Sequence, residues 1–208
     1  MKKLLTATVL IAIVMLSGCL SALHPLFTEE DLVFDPKLVG SWQVGPENKV
    51  YTFQQGTAES FKELPEGMQQ IAAKAYLLTV TDPRTGEETD KFYAFLARIG
   101  KHQYLDYYPM ETKRQQSYSG FFKKNFVPMH SFYRLQPGKD QNTIVIGQFA
   151  DSYLRTLIDK KQIRIRHELK PDGSYVITAP TEELQQYVLK YGDVDEAYQD
   201  NDTFTRIK

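Results

Sequence analysis

One cysteine stands in a chain of 208 residues, which excludes an internal disulfide framework and any zinc or iron–sulfur site built on clustered thiolates. Excess charge of either sign is also missing. With 25 basic against 26 acidic side chains, there is no basic face for nucleic acid. No G-x-S-x-G, S-x-x-K or phosphate-cradling glycine loop occurs, so the common signatures of acyl transfer and nucleotide binding are lacking. His24, His102, His130 and His167 lie in four separate segments without H-x-H or H-x-x-x-H spacing, which speaks for scattered histidines and no metal site or other cofactor. Beyond residue 19 there is no apolar run of bilayer length, no internal repeat and no low-complexity tract. What remains is 42% hydrophobic and 12% aromatic, a composition for a packed core of one domain.

The first nineteen residues have their own logic. Lys2 and Lys3 form a positive start, and Leu4 to Leu16 is apolar except for Thr6 and Thr8. Thirteen residues are too few to span a hydrocarbon core of about 30 Å, so the segment reads as a cleaved export signal. Its end, Leu16-Ser17-Gly18-Cys19, resembles the lipobox of bacterial lipoproteins. That resemblance implies removal of residues 1–18 and attachment of acyl chains such as palmitate to Cys19. Acyl chains contribute roughly 0.8 kcal/mol per buried methylene, and two or more anchor a protein stably. The expected organisation is therefore a signal at 1–18, a lipidated tether at 19–37 and a single β-barrel-like domain at 38–208. Leu20 is not the Asp that retains enteric lipoproteins at the inner membrane, so the resemblance implies the outer membrane, facing the periplasm. A Gram-positive source would place the protein on the outer face of its only membrane.

Loss of Lys2 and Lys3 leaves 23 basic and 26 acidic side chains, a charge of −3 that suits solubility. Residues 20–37 hold Pro25 and Pro36 but also Leu26, Phe27, Leu32, Val33 and Phe34, a content suited to docking on the domain. Beyond them, β-branched and aromatic runs at 38–44, 49–54, 75–81, 89–99, 102–108, 129–135, 143–149, 175–178 and 203–207 alternate with turn clusters. Asp82-Pro83-Arg84-Thr85-Gly86 and Pro137-Gly138-Lys139-Asp140 are the clearest of these turns. This spacing predicts a mainly β fold in meander order, an antiparallel barrel or a sandwich, and a lipocalin-like barrel of about eight strands is the one expected. Two short amphipathic helices break the pattern. Asp151 is placed to cap one, with Tyr153, Leu154, Leu157 and Ile158 on one face. Thr181 is placed to cap the other, with Leu184, Tyr187, Val188 and Tyr191 as its stripe and Gly192 as its stop. Residues 57–73 carry Pro65 and Gly67 and fit neither pattern cleanly.

Gly40-Ser41-Trp42 in the first strand and Arg206 in the last resemble the closure of lipocalin and related calycin barrels. There, a glycine lets the strand bend and an arginine stacks on the tryptophan that plugs the closed end. The family's Thr-Asp-Tyr loop motif is absent. Further stretches, Ala22-Leu23-His24-Pro25-Leu26, Asp31 to Pro36, Leu38 to Trp42, Pro128 to Arg134 and Thr178 to Leu184, resemble a group of uncharacterised bacterial lipoproteins. That resemblance supports placement and a single domain, and implies no activity.

No catalytic residue stands out. His102 and His130 with Asp106 would be the only set to assemble a polar site, and His130 follows Pro128 inside an aromatic strand. The aromatics Phe92, Tyr93, Phe95, Tyr104, Tyr107, Tyr108, Phe132 and Tyr133 fit either a filled core or a lined pocket. The expected function is thus non-enzymatic: a membrane-anchored lipoprotein that binds a small apolar ligand or lipid. The alternative is an accessory subunit that uses a helix or the 110–127 loop, with Lys123-Lys124 among Phe121, Phe122 and Phe126, to hold an envelope protein partner.

Overall fold

The computed structural model describes residues 20–111, 116–171 and 173–207. Residues 1–18, expected to be an export signal, and Cys19 lie outside the described residues. Strands β1 (Ser21–Ala22), β2 (Gly40–Val44), β3 (Lys49–Gln55), β4 (Ala75–Thr81), β5 (Glu88–Ile99), β6 (His102–Pro109), β7 (His130–Pro137) and β8 (Thr143–Phe149) come first. β9 (His167–Leu169), β10 (Tyr175–Ile177) and β11 (Tyr198–Arg206) follow. Four short α-helices are complete among the described residues: α1 (Glu66–Gln70), α2 (Gly120–Asn125), α3 (Asp151–Asp159) and α4 (Thr181–Tyr191).

β2 to β8 pair in sequence order, each antiparallel to the next, through short hairpin connections except for the longer excursions between β3 and β4 and between β6 and β7. β11 then enters between β8 and β2 and closes an eight-stranded antiparallel barrel. The fold is a lipocalin-like barrel with a few helices, as the strand and turn spacing predicts. β10 is the exception to the expected meander. It pairs with β9 and, in parallel, with β1, forming a small sheet outside the barrel. One edge of β7 takes β6, while the other is shared: residues 133–137 pair with β8 and residues 130–131 with β1.

Two cores result from strand alternation. The first fills the barrel. Trp42, Phe53, Tyr76, Leu78, Leu96 and Leu105 point inward and are each at most 2% exposed. The second covers the outer wall of β5 to β8, where Phe95, Tyr104, Phe132 and Phe149 meet Leu154 and Leu157 of α3 and Leu184, Tyr187 and Val188 of α4. β5 is buried on both faces along 93–97, which explains its unbroken apolar stretch. Phe149 is the hub of the outer core, with the rings of Tyr198, Tyr187, Phe132 and Tyr104 centred 4.5–6.1 Å away.

Both helices predicted by periodicity are present, but their caps differ. Ala150 and Pro180 occupy the cap positions, and Asp151 and Thr181 are the first helical residues. Thr181 instead donates its hydroxyl to Pro25 O at 2.8 Å, tying the helix to the N-terminal segment. Tertiary contact has claimed the side chain that local pattern assigns to the cap. Gly192 does end α4. Residues 57–73 resolve into α1 and the single turns Glu59–Phe61 and Ala72–Lys74, and Phe61 among them is fully buried against Tyr93 and Phe95.

Candidate functional site

At one end of the barrel the register places Trp42 opposite Arg206. The guanidinium lies 4.2 Å from the indole centroid, donates from Nη1 to Val39 O at 3.0 Å and from Nη2 to Lys37 O. Trp42 Nε1 donates to Leu38 O at 2.9 Å, so this buried ring leaves no polar atom unpaired. Gly40 adopts φ +126°, and a Cβ there would sit 2.7 Å from Arg206 Nη1. The structure thus brings Gly40, Trp42 and Arg206 into one closure, a packing arrangement with no group free for chemistry. Beside it runs an open groove of about 600 Å³ whose polar lining includes Asp35, Lys37, Gln103, Gln136 and Asn142.

The opposite end of the interior is tyrosine-rich. Tyr107 lies between Phe92 and Tyr133, with tilted rings whose centroids are 5.6 and 5.0 Å away. Its hydroxyl is buried without a hydrogen-bond partner among the described residues, and burial pushes it well above the ordinary phenol range. Tyr51 and Asp202 stand close enough to contribute to its electrostatics. Partial burial, reinforced by Asp200, raises the Asp202 carboxyl.

The buried polar groups lie on the outer wall under the second core. Asp106 is fully buried, with Oδ1 2.7 Å from His130 Nδ1 and Oδ2 accepting the Leu26 N–H at 2.8 Å. His130 is 4% exposed, and the Tyr108 ring is centred 4.7 Å from its own. A histidine oriented by a carboxylate is one half of a nucleophile-activating device. Here, however, the pair faces the backbone of the segment that β1 begins, and holds it. His102 does not join the pair. It sits four residues away along β6 and bonds Asp193 Oδ1 at 2.8 Å, where Lys101 and His102 hold that carboxyl below its usual range. His24 is exposed, and His167 Nδ1 lies 2.7 Å from Ile165 O in the small outer sheet. No cluster of three His, Cys, Asp or Glu side chains fit for a metal occurs among the described residues.

Arg134 is a feature that sequence reasoning misses. It is 6% exposed, donates from Nη1 to Gly192 O at 2.6 Å and lies 3.7 Å over the Tyr198 ring. A cation at the end of α4 complements the helix dipole. Burial pushes Tyr198 up to about 12 despite that cation. An arginine on the outward face of a strand reads as solvated until a helix is known to cover it. Only the pairing of Phe132 and Arg134 with the far C-terminal stripe could have signalled the cover.

No protein-family model, curated protein or solved structure matches the chain.

Proposed function

We propose that the protein is a non-enzymatic lipoprotein of the bacterial cell envelope, attached to its membrane by acyl chains on Cys19, whose barrel serves as a rigid scaffold for an envelope protein partner. The filled interior carries this reading. Where a carrier of apolar molecules needs a hollow barrel, the inward positions Trp42, Phe53, Tyr76, Leu78, Leu96 and Leu105 are occupied by large side chains at most 2% exposed. The open groove beside Arg206 is the best-shaped contact surface, and its unburied amides from Gln103, Gln136 and Asn142 suit polar recognition.

Two measurements test the two parts. Cys19→Ser should abolish palmitate labelling and leave the precursor uncleaved; normal processing would sink the anchor. A photo-crosslinking residue at Gln136 should capture one specific envelope protein, and Gln136→Arg should lose it. Capture of nothing above background from either barrel end would sink the scaffold reading.

One observation favours a second reading, in which a small apolar molecule with a polar head enters the tyrosine-rich end. The buried Tyr107 hydroxyl has no partner among the described residues and would receive that head. Native mass spectrometry of the detergent-extracted protein should then show a co-purifying ligand that Tyr107→Phe loses.

A further inference from the structure

We propose that the outer corner of the small sheet, with Leu169 at its tip, is a membrane-contact surface that lies in the lipid headgroup layer; this rests on the reading of Cys19 as the lipid anchor. Leu20 is 2% exposed and Ser21 is paired on both sides, so the ordered chain begins one residue after the anchor. The slack is a single peptide unit of about 3.8 Å. Strand register then decides which part of the domain the acyl chains hold against the bilayer. β1 runs antiparallel to β7, with Ala22 opposite His130 and Ser21 opposite Ser131. Passing from Ala22 toward residue 19 therefore leads away from the β6–β7 loop and its exposed aromatics. β1 also runs parallel to β10, with Ser21 beside Val176. The same step leads toward Tyr175 and the turn that joins β9 to β10.

Across β10, Leu169 stands opposite Tyr175. Counting about 3.8 Å per residue along a strand and about 5 Å across each pair, the Cα atoms of Cys19 and Leu169 are at most roughly 21 Å apart. Because β1 and β10 run the same way, the two paths converge and the separation is shorter than that sum. Leu169 is 63% exposed, second only to Phe121 among the large hydrophobics of the described residues. A lone exposed leucine is ordinary on a protein surface, and its place beside the anchor is what gives this one a partner. β9 also ends the strand order, so no described strand lies between Leu169 and the outside. Its neighbours suit the membrane–water boundary. The Arg155 guanidinium lies 5.2 Å from the Tyr175 ring centroid, donates to Gly173 O and sits 3.4 Å from the buried Asp151 carboxylate, with 41% of the side chain still exposed. Tyrosine and arginine hold an apolar body and a polar tip at that depth. Glu168 points to the opposite face of the sheet, by strand alternation.

The test uses the full-length, acylated protein in vesicles of phosphatidylglycerol and phosphatidylethanolamine. An environment-sensitive fluorophore is attached through Leu169→Cys, with Phe121→Cys and Glu47→Cys, both in loops at the tyrosine-rich end of the barrel, as controls. The label at Leu169→Cys should be quenched by a lipid-borne quencher several-fold more than at either control, and be shielded from aqueous iodide. Lipid quenching at Phe121→Cys equal to or above that at Leu169→Cys, in protein that carries palmitate, would overturn the contact and leave the anchor standing. Protein that carries no palmitate and stays off the vesicles would sink the anchor and the contact with it. Shielding at Leu169→Cys in native membranes but not in vesicles would overturn the lipid contact in favour of a protein one.

Discussion

Arg206 reaches across almost the whole chain to seal the barrel, with Lys37 and Val39 supplying carbonyls 169 and 167 residues earlier. A lysine there keeps the charge but loses the flat face and the two-pronged donation. Arg206→Lys should cost about 1–2 kcal/mol in urea denaturation, and the emission of the only tryptophan, Trp42, should move to longer wavelength. Gly40→Ala should cost a similar amount, about 1–3 kcal/mol, because φ +126° disfavours a side chain and the new Cβ would displace the guanidinium. Asp106 makes a different demand. Asp106→Ala leaves both His130 and the Leu26 N–H without a partner in a dry place and should cost about 3–5 kcal/mol. Asp106→Asn, which can still serve both, should cost clearly less. Equal losses for the two variants would mean that packing, rather than hydrogen bonding, explains the residue.

Elements differ in how far sequence alone reveals them. The stripe Leu184, Tyr187, Val188 and Tyr191 is legible because helical period and burial agree, and all four are buried. The turns at 82–86 and 137–143 are legible because their residue types permit little else. β1 and β9 are not, since two or three residues establish no period and their pairing depends on distant chain. The sequence groups Asp106 with both His102 and His130, and which histidine it meets is hidden, because that depends on the register of β6 on β7 rather than on spacing. The N-terminal segment shows this dependence in testable form. Gln185 of α4 donates to both Leu26 O and Asp31 Oδ2. Gln185→Ala should speed amide exchange in residues 26–33 about tenfold while β3 and β4 keep their protection. Uniform loss of protection would show that the segment and the barrel open as one unit.

At the scale of the molecule, tyrosines set the alkaline limit. Burial raises Tyr76 and Tyr198 to about 12, raises Tyr104 and Tyr187 further, and pushes Tyr107 well above the ordinary phenol range. The unfolded chain releases these protons near pH 10, whereas the native state retains them. Their contribution is therefore intact below pH 10 and is lost as the pH climbs toward 12 and beyond, each group accounting for up to about 1.4 kcal/mol per pH unit. Urea midpoints should hold steady from pH 7 to 9 and fall steeply above 10, with phenolate absorbance appearing together with unfolding. A phenolate signal that exceeds the share of the exposed tyrosines before unfolding would place these rings in contact with water.

β11 joins β8 to β2 after an excursion of residues 150–197. Until residues 198–206 exist, the other seven strands form an open sheet with two bare edges, a state prone to pairing with other chains. Residues 198–206 therefore decide whether two strand edges are paired or bare, and a chain lacking them is expected to aggregate rather than to fold as a weaker barrel.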